Sequence, residues 1–409
     1  MRAVAGTQSH ALTSFRAAFL TATRSQGWRP ARPGEFTRRA FHAGKLDLTQ
    51  AEGLADLLNA ETAAQRRTAL AQATGLLSRQ VAAWRAQLLR CVAHAEASID
   101  FGEDERLGDV AAGVAPMTLA LRSSLADHLS RSAAGAAELT REGVRVTLGG
   151  APNAGKSSLL NALAGREAAI VSPQPGTTRD VVTLQLAVGA HKLLLSDTAG
   201  LRACGHDAVE AEGVRRAERA LREAHLRVLV LDASRLHAES LSPGVQACFT
   251  GATDESSHSP RESRDSSILV VLNKADLLDA AQRAGAPALL PGWLAAQPLA
   301  GPWLVSCATG EGLDQLSSAL QSACQQLLGA RDGEQAPALT RARHAHWRAL
   351  AVSCLDAALA AAPGGEELAA EELRNALRAL GRVTGDRGAA QDDVEATLDV
   401  VFSEFCVGK

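Results

Sequence analysis

Residues 150–157 read Gly-Ala-Pro-Asn-Ala-Gly-Lys-Ser and match the spacing G-x-x-x-x-G-K-S/T. Two glycines at that separation let the backbone curl until several N–H groups face one anion. The run sits between a predicted strand and a predicted helix, so the positive end of that helix adds to the attraction. Lys156 can reach β- and γ-phosphates, and the Ser157 hydroxyl can ligate Mg²⁺. Asn153, Ala154, Gly155, Lys156, Ser157 and Ser158 are therefore the expected phosphate contacts.

A second motif, Asn273-Lys274-Ala275-Asp276, chooses the base. A carboxylate at Asp276 can accept from both N1–H and the exocyclic amine of guanine, a donor pair that adenine lacks on that edge. Hydrogen bonds to a charged group contribute about 1.5–3 kcal/mol, so this contact gives roughly tenfold preference or better. Asn273 is expected to brace its loop against the phosphate loop, and the Lys274 stem to cover the base face. Ser306-Cys307-Ala308 should form the second wall.

Two further segments face the γ-phosphate. Asp197-Thr198-Ala199-Gly200 closes a strand, where Asp197 can hold the Mg²⁺ water shell and the Gly200 N–H can sense the phosphate. Pro175-Gly176-Thr177-Thr178-Arg179-Asp180 precedes a hairpin, and a threonine there completes the metal shell only while the γ-phosphate is present. That makes the loop a switch. Together the motifs predict a GTP-binding domain. The position that carries a water-orienting glutamine in Ras-type sites is Leu201, which has no polar atom to offer. Glu210 and Glu212, a few residues on, are the candidates to replace it, against the bland reading of acids at a helix start.

Elements must hold these residues. Val144–Leu148, Val181–Val188, Leu193–Ser196, Arg227–Asp232, Ile268–Leu272 and Trp303–Val305 read as strands, with a hairpin at Gly189-Ala190. Helices are expected over Val209–Glu223 and Gly312–Leu328. Such alternation predicts a largely parallel sheet covered on both faces. Leu48 to about Ile99 reads as one helical stretch, with Leu70, Ala73, Leu77, Val81, Trp84, Leu88 and Val92 on one face. Phe101–Glu105 breaks it, and a further helix is expected over Pro116–Glu142. Residues 251–267 are almost wholly polar and read as a mobile surface insertion. From about Thr340 the chain turns helical again. The fold class expected is an α/β P-loop GTPase domain with a mostly parallel sheet, inserted in a discontinuous α-helical domain.

Composition narrows the classes. The 409 residues include 46% apolar and 21% charged, which excludes wholesale disorder. No apolar run is long enough for a spanning helix. A net charge of −3 argues against a strongly basic nucleic-acid binder, and the lack of tyrosine against a surface that stacks unpaired bases. The seven cysteines form no C-x-x-C pair, which opposes zinc and disulfide frameworks and fits a reducing compartment. Residues 1–50 carry eight Lys/Arg against two acids, with Leu12, Phe15 and Phe19 at helical steps. A mitochondrial presequence and the basic face of a folded segment both fit that run.

These residues carry a resemblance. Pro33–Phe41, Gly44–Thr49 with Ala51–Asp56, the phosphate loop, Pro175–Asp180, Asp197–Arg202 and the terminal Phe405-Cys-Val-Gly-Lys409 resemble the MnmE (TrmE) family of tRNA-modification GTPases, in particular its animal mitochondrial members. The match runs from about residue 10 to the end. It implies a K⁺-stimulated GTPase whose G domains dimerise. By resemblance, Asn153, Ser172, Gln174 and Thr177 match K⁺ ligands, Ser157 and Thr178 match Mg²⁺ ligands, and Glu210 matches the water-orienting glutamate. A cation beside the β/γ bridge can neutralise developing charge as an arginine finger does, an effect of ~10³–10⁵ in rate.

The resemblance also implies an FAD-containing partner of the MnmG family, tRNA as substrate with C5 of the wobble uridine as target, and 5-formyltetrahydrofolate or a related folate. Lys45 and Lys409 match folate-contacting lysines, and Cys406 matches a functional tail cysteine. Spacing alone reads Cys406 as a free thiol near a chain end. The domains expected are 1–49 as a remnant of the folate-binding and dimerising domain, 50–142 as the first segment of the helical domain, 143–330 as the G domain, and 331–409 as the second helical segment. The basic run at 1–40 is then better read as a remnant of that domain than as a presequence, because the match begins inside it. The location implied is the mitochondrial matrix, or the cytoplasm for a bacterial chain. Two rivals stand: a regulatory GTP-binding protein of ribosome-assembly type, and a truncated form that binds GTP without modifying tRNA.

Overall fold

The computed structural model describes residues 31–100, 108–131, 136–169, 183–197, 207–236, 243–250, 268–286, 290, 294, 299–328, 340–361 and 365–386. The expected polar insertion at 251–267, the amphipathic turns near Leu12–Phe19 and the break at 101–105 lie outside them. The described chain falls into two compact units. One gathers 1–59, 69–127 and 343–409, the other 60–68 and 128–342.

The first unit is helical. It contains α1 (Glu35–His42), α2 (Leu48–Leu58), the end of α3 (Ala63–Ala73), α4 (Leu76–Asp100), most of α5 (Gly108–Arg131), α12 (Ala342–Ala361) and α13 (Glu366–Thr384). Asp47 starts α2 with a capping box: its carboxylate accepts from the Gln50 N–H, and the Gln50 side chain accepts from the Asp47 N–H. Along α4, Leu77, Val81, Trp84 and Leu88 are buried at steps of three and four. Along α13, Ala369, Ala370, Leu373, Ala376 and Leu380 do the same, and the two helices pack together. Each large apolar side chain so buried contributes about 1.5–3 kcal/mol.

The single helix expected over 48–99 is three helices. Asn59 closes α2. Thr62 and Gln65 then cap each other, with the Gln65 side chain accepting from the Glu61 and Thr62 amides and the Gln65 N–H donating to Thr62 Oγ1. Gly75, at φ 81°, turns the chain between α3 and α4 in a way a side chain would oppose. The turn also resets the helical phase, so Leu70 is 51% exposed rather than on the buried face. The helix expected over 116–142 is likewise two. α5 starts before Pro116, which lies inside it, and α6 covers Ala136–Glu142.

The second unit is built on a seven-stranded sheet. Its strands are β1 (Val144–Gly149), β2 (Ala168–Ala169), β3 (Thr183–Val188), β4 (His191–Asp197), β5 (Leu226–Asp232), β6 (Ile268–Asn273) and β7 (Leu299–Leu304). The order is β2-β3-β4-β1-β5-β6-β7. β1 pairs in parallel with β4 and β5, β5 with β6, and β6 with β7, while β3 runs antiparallel to β4 through a two-residue turn at Gly189-Ala190. This is the expected mostly parallel α/β fold. β6 is buried at every position, as a central parallel strand covered on both faces must be. Alternate residues serve two cores. Val228, Val230, Leu269 and Val271 pack with helices α7 (Lys156–Arg166) and α11 (Leu313–Leu328), whereas Leu229, Leu231, Val270 and Leu272 pack with α8 (Asp207–Glu223) and α9 (Pro243–Thr250).

Two edges differ from the reading by composition. β2 pairs by only two residues, too short to leave a pattern. β7 begins at Leu299, earlier than the Trp303 expected, because Gly301 and Pro302 disguise it; proline is tolerated there since β7 is an edge strand.

Candidate nucleotide site

The site lies where the carboxyl ends of the parallel strands meet the loops that follow. β1 delivers Gly149 and Gly150, the loop runs through Asn153 and Gly155, and α7 starts at Lys156. Both motif glycines are sterically required. At Gly150, φ is 147° and an added Cβ would stand 2.1 Å from the Val230 carbonyl oxygen. At Gly155, φ is 95° and a Cβ would stand 2.1 Å from Asn273 Nδ2. Asn153 is one of only two described residues other than glycine with positive φ, at 64°. Asparagine accepts that region more readily than most residues, and strained backbone of this kind gathers at functional sites.

Lys156 is buried, and its ammonium donates to the carbonyls of Gly150 at 3.0 Å and Ala151 at 2.7 Å. That holds a positive charge inside the loop. Ser157 and Ser158 are exposed in the first turn of α7.

The loops after β6 and β7 are tied to this cradle. Asn273, 2% exposed at the end of β6, donates from Nδ2 to the Ala154 carbonyl at 3.0 Å. Its Oδ1 accepts from the Cys307 amide at 3.3 Å. One side chain therefore links the phosphate loop, its own loop and the loop after β7. Asp276 is exposed, and its carboxylate accepts from the buried Ser306 hydroxyl at 2.6 Å, which leaves oxygen capacity for a base. A cleft of about 590 Å³ joins Asn153, Gly155, Lys156, Ser157 and Ser158 to Asn273, Lys274, Asp276, Cys307 and Ala308. Its size is that of a small-molecule site. Burial pushes the Cys307 thiol up, partly countered by its hydrogen bond with Asn273, so it sits in the cleft as a neutral group rather than a nucleophile.

Two residues of the site escape sequence reasoning. Asp232, 4% exposed at the end of β5, accepts from the Lys274 ammonium at 2.6 Å and from the Ser234 hydroxyl and amide. Burial pushes its carboxyl up, but Lys274 and Ser234 together outweigh that and hold it below the ordinary aspartate value. Lys274 is the other positive-φ residue, at 65°, so its stem is held at both ends. The only local signal is Asp-Ala-Ser, an Asx-turn pattern, since the partner lies 42 positions away. Leu277, 62% exposed, lines the same cleft and offers an apolar surface.

The other expected residues divide. Asp197 ends β4, alongside Leu148 of β1, and Glu210 lies in the first turn of α8. Lys45 is exposed in the turn between α1 and α2 of the first unit. Ser172, Gln174, Gly176, Thr177, Thr178, Thr198, Ala199, Gly200, Cys406 and Lys409 lie outside the described residues. The cradle fits a nucleotide phosphate, because both glycines occupy places where a Cβ would close the loop. Of the proposed cation ligands, Asn153 and Ser157 are present in that cradle. Among the described residues no helix is long and apolar enough to cross a membrane.

Comparison with known proteins extends the picture. A family model described as the MnmE helical domain matches residues 48–406. A protein of Parvibaculum lavamentivorans named tRNA modification GTPase MnmE is 44% identical over 385 residues, which is 94% of this chain and 77% of that one. Proteins of Homo sapiens and Rattus norvegicus, named as the mitochondrial GTPB3 subunit of a 5-taurinomethyluridine tRNA synthase, are 45% and 43% identical. Each match covers 94% of this chain and 73% of the relative.

Proposed function

The chain belongs to the MnmE family, and from that premise we propose that it is a GTP hydrolase stimulated by K⁺ that acts in modifying C5 of the wobble uridine of tRNA. It works with an FAD-containing partner of the MnmG type and pairs with a second copy through its G domain. The rat and human relatives are named as mitochondrial, and the same location is proposed here. The observation that carries the reading is the Asn273 bridge. One buried amide joins the phosphate cradle to the loop that presents Asp276, so phosphate and base are read as one ligand.

The chain's own residues supply most of the work. The Asp276 carboxylate receives the two donors of the guanine edge, steadied by Ser306. Lys156 holds positive charge where the β- and γ-phosphates lie, and the amides that open α7 add theirs. Glu210, early in α8, orients the attacking water and takes up the role that Leu201 cannot fill. Ser157 and Thr178 would hold Mg²⁺, and Asn153, Ser172, Gln174 and Thr177 would hold K⁺; when bound, the two ions would supply positive charge to offset the charge of the phosphates. Lys45 and Lys409 are proposed contacts for a folate, and Cys406 for the modification step.

GTP turnover in KCl against NaCl tests the reading. Potassium should raise the rate by roughly three orders of magnitude or more. Equal slow rates in both salts would sink the cation assignment. Glu210→Ala should lower turnover while GTP affinity is retained; unchanged turnover removes Glu210 from its role.

A further inference from the structure

β4 ends at Asp197, the first residue of the Asp-Thr-Ala-Gly segment, and its register on β1 sets Asp197 opposite Leu148, two residues before Gly150 of the cradle. The β3–β4 hairpin is held unevenly. On its outer side β3 meets β2 by only two residue pairs. The side chains of β4 also specify its register weakly. Leu193 and Leu195 are buried, but the half-buried Leu194 stands between them, so a slip by one position still sets a leucine inward. A slip by two keeps the alternation intact and carries the end of β4 about 6–7 Å along β1. Another contact must hold the strand in place.

That contact lies at the tip of the hairpin, the end away from Asp197. Residues 60–68 belong to the same unit as the sheet. The Ala64 amide is one of those that a helix start leaves without a partner inside the helix, and it donates to the Ala190 carbonyl at 3.2 Å. Two positions on, the Lys192 ammonium donates to Glu61 at 2.5 Å, across 131 positions of sequence. Both side chains are partly shielded from water, at 13% and 28% exposure. Gln65 fixes this short segment in turn. Its side-chain oxygen accepts from the Glu61 and Thr62 amides, and its nitrogen donates at 2.8 Å to the carbonyl of Arg141, just ahead of β1. From another side, Gly189, at φ 59°, lies so close to α11 that a Cβ would stand 2.7 Å from the Gln321 side chain. The tip of β4 is thus tied, through Glu61 and Gln65, to the start of the strand against which its register is set.

We propose that residues 61–65 clasp the hairpin and that Lys192 is a positioning residue for GTP hydrolysis: with Glu61 it locks the register of β4 on β1, and so the placement of the end of β4 against the phosphate cradle. The inference rests on the reading of Asp197 and the segment it opens as facing the γ-phosphate. Lys192 stands about 16 Å from Asp197 along the strand, so it acts through the ladder and touches no reacting atom. A displacement of about 1 Å at a reacting group costs as much as a hundredfold in rate, so a fixed register matters even at that distance.

The test uses the full chain as wild type, Lys192→Glu, Lys192→Arg, Glu61→Gln, and Lys192→Glu combined with Glu61→Lys. GTP turnover is resolved into kcat and KM, and GDP affinity is titrated with a fluorescent analogue. Thermal midpoint and amide exchange of the peptide that spans β4 are measured on the same preparations. Lys192→Glu should lower kcat by roughly tenfold, leave GDP affinity unchanged and speed exchange in β4, while Lys192→Arg and the reciprocal swap should restore kcat and exchange together. Glu61→Gln removes the pairing charge without adding repulsion. It should move kcat and exchange in the same direction by less, and it decides the matter if Lys192→Glu does not fold. Wild-type kcat and exchange in both Lys192→Glu and Glu61→Gln would overturn the proposal. So would a loss of turnover that the swap leaves unrepaired, or one that only tracks lost folded protein. If the wild-type chain itself turns over no GTP, the functional reading fails, and exchange in β4 alone decides whether the clasp sets the strand.

Discussion

Asp276 and Asp232 are both aspartates of the nucleotide site, yet they act differently. Asp276 is exposed and lines the cleft, with one tie to Ser306. Asp276→Asn removes the charge that accepts two donors and should weaken GTP binding by tenfold or more, about 1.5–3 kcal/mol, in a titration with a fluorescent guanine nucleotide. Asp232 is buried and turned to Lys274. Its folded value lies below its unfolded one, so its contribution to stability is complete above the ordinary aspartate value near 4 and fades as pH falls through the lower folded value. Asp232→Asn should therefore flatten the acid side of the stability profile below about pH 4 and leave its shape at neutral pH unchanged. A wild-type acid limb in that variant would refute the assignment. The sequence exposes the first aspartate and hides the second for a simple reason. Asn-Lys-x-Asp is a local pattern, whereas the Asp232–Lys274 pair exists only because β5 and β6 are neighbours that set Asp232 beside Asn273.

Elements decide how closely these loops approach. The phosphate loop passes under β5 at Val230 and against Asn273, and each approach has room only for glycine. Gly155→Ala would drive a Cβ into Asn273 Nδ2 and break the bridge to the Ala154 carbonyl. Nucleotide affinity should fall steeply, with a stability loss of about 1–3 kcal/mol in urea unfolding. Retained affinity would show that the bridge is dispensable. The glycine spacing is plain in the sequence, and so are the strands that present it. The helical flank is less legible. Its apolar period runs on through 48–99, while Asn59, Thr62 and Gly75 interrupt the backbone, so period alone joins three helices into one. Leu70 shows the error, with a correct spacing and the wrong side.

On the scale of the whole molecule, two units carry separate cores. The GTP-binding unit centres on both faces of its sheet, and the helical unit on α4 against α13. A ligand stabilises only what it binds, so GDP at 100 times its dissociation constant should raise the sheet unit by about 2.7 kcal/mol. Leu229→Ala and Leu373→Ala, each costing about 2–5 kcal/mol, label the two cores. Calorimetry should show Leu229→Ala lowering the GDP-responsive transition and Leu373→Ala lowering the other. A single transition that moves equally with GDP and with both variants would show instead that the units unfold as one.

Local patterns in the chain were sufficient for the glycines of the phosphate loop, the Asn273–Asp276 loop and the parallel strands β1, β5 and β6. Each of these depends on residues within a few positions of one another, where covalent geometry and side-chain type leave few alternatives. The Asn273 brace is expected from its motif, and its bond to the Ala154 carbonyl bears that out. Folding alone settled the Asp232 tether on Lys274 and the meeting of Glu52 with Arg343 and His344 from opposite ends of the chain. Those partners are separated by 42 and as many as 292 positions, and only packing brings them within hydrogen-bonding distance.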